Sequence, residues 1–179
     1  MAERLKVLIA SSEIVPFAKT GGLADVAGAL PKALVKFGVE VAVILPKYQM
    51  VDERKFNLLP TGKTVDVPIG NEIHSGRILS ARINKDIQAF FIEKDEYYNR
   101  PFLYGTPQGD YPDNAERFIF FSRGVIEACR ALNFQPDVIH CNDWQTGLIP
   151  VYLSILYKNE ATFGQTVTIF TVHNMGYQG

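Results

Sequence analysis

Lys19-Thr20-Gly21-Gly22 stands immediately before a helical pattern, and that placement has a chemical meaning. Glycine lets the backbone come close to a ligand, and the first N–H groups of a helix have no partners within it. With the helix dipole they favour an anion, and Lys19 adds a full positive charge. The plain alternative is a glycine turn beside a solvated lysine. Neither G-x-G-x-x-G nor G-x-x-x-x-G-K-[ST] occurs, so dinucleotide and P-loop readings lose their usual support. His140-Cys141-Asn142-Asp143 and His173-Asn174 are two further polar clusters. Asp143 is either an N-cap or a catalytic residue, and His173 either a partly buried histidine bonded to a carbonyl or a site residue. Among His140, Cys141, Asp143 and His173 there is neither C-x-x-C nor H-x-x-x-H spacing, so no metal is expected. Tyr97, Tyr98, Phe102, Tyr104 and Tyr111 share one loop. Their rings either offer faces to sugars or pin the loop to the core.

These residues need elements to bring them together. Val7-Leu8-Ile9-Ala10 is a continuous apolar run, as in a strand covered on both faces. Leu23, Val26, Ala27, Leu30, Leu34 and Phe37 recur at spacings of three and four, which predicts a helix stopped by Gly38 and kinked or divided at Pro31. Residues 39–46 form a second buried strand and complete a βαβ unit. Short strands at 65–68, 77–83 and 88–93 read as an antiparallel insertion whose third strand returns to the main sheet. An aperiodic loop over 94–112 is long enough to be functional or disordered. A helix follows from an Asp113 N-cap to about Leu132, then a strand at 137–140, a helix at 144–157 opened by a packing Trp144, and a last strand at 166–172. Strands alternating with helices give an α/β, doubly wound, mostly parallel Rossmann-like sheet with a small antiparallel insertion. Ligands of such sheets sit beyond the carboxyl ends of the strands. Three strands here end in polar residues: Ser11-Ser12-Glu13 with the glycine turn, His140 to Asp143, and His173-Asn174.

Composition narrows the class. The 179 residues suit one domain with a real core, and 47% hydrophobic with 21% charged residues is a globular profile. Eighteen Lys and Arg against nineteen Asp and Glu leave no global field for nucleic acid or an anionic membrane. Two cysteines, Cys129 and Cys141, are too few for a disulfide framework and suggest a reducing compartment. With no signal-peptide pattern and no apolar run of membrane-spanning length, the chain reads as cytoplasmic.

The motifs also resemble a known family. Lys19-Thr20-Gly21-Gly22-Leu23-Ala24-Asp25-Val26 is similar to the K-T-G-G-L-[AG]-D-V signature of bacterial glycogen synthases and plant starch synthases. Leu103-Tyr104-Gly105 and Asp110-Tyr111-Pro112-Asp113-Asn114-Ala115-Glu116-Arg117-Phe118 resemble the family's Y-G…D-Y-x-D-N-x-x-R-F stretch. His140 to Gly147 resembles H-x-x-D-W-[HQ]-[AT]-G, and Thr171 to Gly179 resembles T-[IV]-H-N-x-x-Y-Q-G. Four motifs stand in family order across residues 19 to 179.

The resemblance implies half of a GT-B fold, in which two Rossmann-like domains face each other across a cleft. It implies transfer of glucose from ADP-glucose to the non-reducing end of an α-1,4-glucan, glycogen or maltooligosaccharide, with retention, no cofactor and no metal. Asp143 and His173 then inherit catalytic positions, and Lys19, Gly21, Gly22 and Asn174 the donor side. Tyr104, Tyr111, Asp113 and Asn114 are acceptor or loop candidates. Cys141, Asn142 and Gln145 vary in the family and receive no catalytic weight. Residues 1–179 correspond to part of the N-terminal domain, so the partner is the chain's own C-terminal nucleotide-binding domain, and this segment is expected to be inactive alone. A plant member would lie in the plastid stroma. Two alternatives stand beside this: a GT-B transferase using a UDP-sugar, and a non-catalytic glucan-binding module. A nucleotide-cofactor dehydrogenase ranks last for want of its glycine fingerprint.

Overall fold

The computed structural model describes residues 4–177. Gln178 and Gly179, the end of the last motif, lie outside the described residues. The first βαβ unit is β1 (Lys6–Ser11), α1 (Gly22–Lys36) and β2 (Glu40–Pro46). A one-turn helix, α2 (Glu53–Phe56), leads into β3 (Leu59–Ile69), β4 (Glu72–Asn84) and β5 (Ile87–Glu93). The aromatic loop holds α3 (Asp95–Tyr98) and a two-rung hairpin, β6 (Gly105–Thr106) with β7 (Gly109–Asp110). The chain closes with α4 (Asn114–Ala131), β8 (Val138–Asn142), a 3-10 turn at Trp144–Thr146, α5 (Leu148–Ile155), a second 3-10 turn at Ala161–Phe163, and β9 (Val167–Thr171).

One seven-stranded sheet runs β3-β4-β5-β2-β1-β8-β9. β5, β2, β1, β8 and β9 are parallel, and β3 and β4 join antiparallel at one edge. The expected insertion is therefore continuous with the main sheet, and its first two strands are longer than the sequence pattern suggested. β1 is the switch point, because the chain leaves it sideways to β2 and returns on its other side to β8. Right-handed crossovers running in opposite directions put α1 and α4 on opposite faces. The central strands are thus covered twice, which is why 7–10 and 41–45 are apolar without alternation and buried throughout.

α1 runs through Pro31 without a break, so the expected division does not occur. Pro31 is buried on the packing face with Leu23, Ala24, Ala27 and Gly28. Gly28 allows that contact: a Cβ there would lie 2.8 Å from the Val15 carbonyl oxygen. Gly38 ends the helix at φ +81, with its N–H on the Val35 carbonyl. Val26 and Phe37, placed on the packing face by spacing, are 46% and 84% exposed. Phe37 sits at the C-cap, past the last turn that can face the sheet.

Parallel register fixes the functional edge. Ser11 is aligned with Asn142, and Asn142 with Thr171. The residues after these three strand ends, Ser12-Glu13, Asp143 and Val172-His173, therefore emerge on one rim.

Candidate active site

A cleft of about 520 Å³ opens at that rim. Glu13, Thr20, Gly21, Gly22, Leu23 and Val26 form one wall, and Tyr104, Asp143, Trp144, Gln145, His173, Asn174 and Tyr177 the other. Register alone brings Asp143 and His173 together. The glycine turn joins them because β1 and α1 are consecutive.

The turn has a definite construction. Gly21 is the N-cap of α1 and no side chain caps the helix. The amides of Thr20 and Gly21 instead donate to the Glu13 carboxylate, Gly21 at 3.2 Å. Thr20 Oγ1 donates to it at 2.6 Å and the Tyr104 hydroxyl at 2.7 Å. A Cβ on Gly21 or Gly22 would meet nothing within 4 Å, and neither residue has a positive φ. No protein contact requires glycine here; the space a side chain would fill is cleft.

Lys19 lies one residue outside the wall. Its ammonium is 2.7 Å from Asp25, both side chains being more than half exposed. An exposed pair of this kind is weak, so Lys19 is held loosely.

Asp143 is buried, and its backbone stands at φ 61, ψ 179, a region nearly reserved for glycine. Holding a non-glycine residue there costs about 1–3 kcal/mol and requires a rigid frame. The frame is visible: its N–H donates to the Thr171 carbonyl at 2.9 Å, and its carbonyl accepts from the Thr146 N–H and hydroxyl at 3.1 and 3.0 Å. Its carboxylate does not cap the following 3-10 turn and bonds to no described residue. Asp143 therefore stands at the N-cap position of that turn without its side chain capping it.

His173 Nε2 is 2.9 Å from Asn142 Oδ1. The Asn142 amide donates to the carbonyls of Ala10 and His140, so its oxygen must be the acceptor and His173 carries its proton on Nε2. Neutral His173 thus keeps an acceptor at Nδ1. His140 faces Thr171 Oγ1 at 2.7 Å, away from the cleft lining, and burial first, then the nearby His173, lowers its pKa. Burial pushes the Cys141 thiol up to about 12.

The aromatic loop divides by role. Tyr97 and Tyr98 are buried and pin it, while Tyr104 reaches the cleft. Trp144 is more than a packing residue, since it lines the cleft with Tyr104 and Tyr177 at ring centroid distances of 6.3 and 5.8 Å. Tyr177 also donates to Asp110 at 2.6 Å, which ties the end of the described chain to the β6–β7 hairpin.

Tyr111, Asp113 and Asn114 lie outside the lining. Asp113 occupies the N-cap position of α4 but makes no side-chain cap bond; its oxygens take Arg100 Nη1 and Nη2 at 2.8 and 2.6 Å. A bidentate guanidinium outcompetes single backbone amides. Asn114 donates to the Tyr104 carbonyl at 2.7 Å, and Tyr111 lies under the guanidinium groups of Arg100 and Arg117. Arg117, fully buried, donates to the carbonyls of Tyr97 and Leu103 and to Asn114 Oδ1. These residues set the shape of the loop that presents Tyr104.

Residues 6–179 match the family described as the starch synthase catalytic domain. The chain belongs to that family. Starch synthase catalytic domains are accordingly the frame for its relatives. A glycogen synthase of Syntrophotalea carbinolica is 46% identical over 98% of this chain, and glycogen synthase 2 of Geobacter sulfurreducens 44% identical over the same share. The chain spans about a third of their length, 36% in each case. The catalytic domain of Arabidopsis thaliana starch synthase IV, solved bound to ADP and acarbose, superposes with a TM-score of 0.86 at 30% identity, over 98% of this chain and 35% of that one. A sucrose-phosphate synthase of Thermosynechococcus elongatus shares the fold alone, at a TM-score of 0.54 and 13% identity.

Sequence reasoning gave no role to Glu13 or Gln145, which line the cleft, or to Asn142, which holds His173. Glu13 had a usable signal, a carboxylate just past a buried strand and just before the glycine turn. Among the described residues no His, Cys, Asp and Glu groups converge as a metal site would, and no helix is long and apolar enough to cross a membrane.

Proposed function

We propose that this chain forms the N-terminal part of a retaining glucosyltransferase. The enzyme moves glucose from ADP-glucose to the non-reducing end of an α-1,4-glucan, glycogen or a maltooligosaccharide. The observation that carries the reading is the uncapped start of α1 sharing one cleft with Asp143 and His173. Front-side displacement leaves negative charge on the departing diphosphate. N–H dipoles fixed at the start of α1 favour that charge more as it develops, which is the condition for catalysis rather than mere binding. Lys19 adds a cation to the donor side once a diphosphate competes with Asp25 for it. His173, fixed through Nε2, offers its other ring edge and Asn174 its side chain to the donor glucose, with Asp143 near the reacting centre. On the family resemblance, the nucleotide base belongs to the part of the relatives that this chain does not span, so this segment alone should bind the donor weakly and not turn over.

The aromatic wall of Tyr104, Trp144 and Tyr177 supports a second reading, a glucan-binding module, since rings suit the C–H faces of sugars. Amide chemical shifts separate the two. ADP-glucose should move Gly22, Leu23 and His173, whereas a response to maltooligosaccharide alone defeats the transferase reading. A UDP-glucose titration run in parallel compares the two donors.

A further inference from the structure

The glycine turn was expected to present its amides to a ligand, but two of them are already taken. Thr20 N–H and Gly21 N–H both donate to Glu13, a side chain 3% exposed, while the first amides of α1 beyond them have no side-chain cap. The same carboxylate accepts from Thr20 Oγ1 and from Tyr104, whose hydroxyl also meets Ser12 Oγ at 2.7 Å. Residue 13 thus joins the end of β1, the start of α1 and a loop 91 residues away in the chain.

We propose that Glu13 is a positioning residue: an internal anion that locks the turn and the Tyr104 loop together, and so confines an incoming phosphate to the amides at the start of α1. The proposal rests on the donor reading above and refines it. Four hydrogen bonds to one carboxylate exceed what Gln can accept, because its amide nitrogen is a donor facing donors. The charge argument runs the other way. A carboxylate beside an anion site repels the anion, so if simple electrostatics ruled, removing the charge would tighten phosphate binding. If positioning rules, removing it loosens the turn and weakens binding. The sign of one change therefore decides between them.

The test uses this chain, amide hydrogen exchange, and inorganic pyrophosphate as the probe, in wild type, Glu13→Gln and Tyr104→Phe. In Glu13→Gln the amides of Thr20 and Gly21 should exchange about tenfold faster, the factor expected for one lost charge-assisted hydrogen bond. Amides in β3 and β4 should keep their rates, and pyrophosphate affinity should fall by a similar factor. Tyr104→Phe, which leaves the carboxylate in place, should accelerate the same two amides by a smaller factor. In wild type, pyrophosphate should shift Gly22 and Leu23 and leave Thr20 N–H on Glu13. Unchanged exchange in Glu13→Gln, or tighter pyrophosphate binding, overturns the proposal. A wild type that ignores pyrophosphate defeats the donor reading instead, and the exchange rates still report on Glu13 separately.

Discussion

His173 Nε2 and Asn142 Oδ1 are 2.9 Å apart, and Asn142 is itself fixed by two backbone carbonyls, Ala10 on the neighbouring β1 and His140 on its own strand. The orientation of the histidine in the cleft is thus set by a residue at the end of β8. Asn142→Ala should leave the ring free to rotate and lower kcat of an enzyme carrying this domain by about a hundredfold, the scale of a misplaced catalytic group, with a much smaller change in KM. Steady-state kinetics at saturating donor check this; a pure KM effect would show that Asn142 serves binding instead.

Asp143 carries backbone strain that glycine would not. Asp143→Gly should raise stability by about 1 kcal/mol after glycine's own entropy cost, or about 2–4 °C in Tm for a chain of this size. The same change should abolish transfer, because the unbonded carboxylate in the cleft is gone. Calorimetry reads the first effect and glucan elongation the second. A lower Tm would mean that the Asp143 side chain stabilises the fold.

Gly28 tests the packing of α1. A Cβ there would lie 2.8 Å from the Val15 carbonyl oxygen and 3.0 Å from Val15 Cβ, both in the loop that leads to the glycine turn. Gly28→Ala should cost about 1–3 kcal/mol by overpacking, seen as a lower midpoint in urea at an unchanged slope. An unchanged midpoint would show that the loop yields freely.

Much of the fold was legible because its signals are local and periodic. The apolar runs 7–10 and 39–46 read as doubly covered strands, and three polar strand ends had to share an edge once the sheet was parallel. What stayed hidden depends on contacts distant in sequence. Glu13 meets Tyr104 across 91 residues, and nothing near either residue marks the pairing. Asp113 carried a valid N-cap signal, but Arg100, invisible to a local pattern, claims its oxygens. Asn142 received no weight in the sequence because its bond to His173 joins residues 31 apart in the chain. Gly21 and Gly22 line the cleft, yet the Gly21 amide donates to Glu13, which only the folded loop reveals.

His140 gives the chain a pH dependence of defined sign. Burial, the larger cause, and His173, the lesser, depress its pKa below the ordinary 6.5. The folded state therefore binds this proton less readily than the unfolded state. The stabilising contribution is complete above about pH 6.5 and is lost as pH falls through the lower folded value. Tm measured from pH 8 to pH 5 should decline on the acid side, and His140→Gln, which keeps a polar group for Thr171 Oγ1 without titrating, should decline less steeply. The charged form of His140 would also face His173 on the neighbouring strand end, the lesser cause of the same shift. Parallel acid limbs for wild type and His140→Gln would remove His140 as the cause and leave the dependence to other groups.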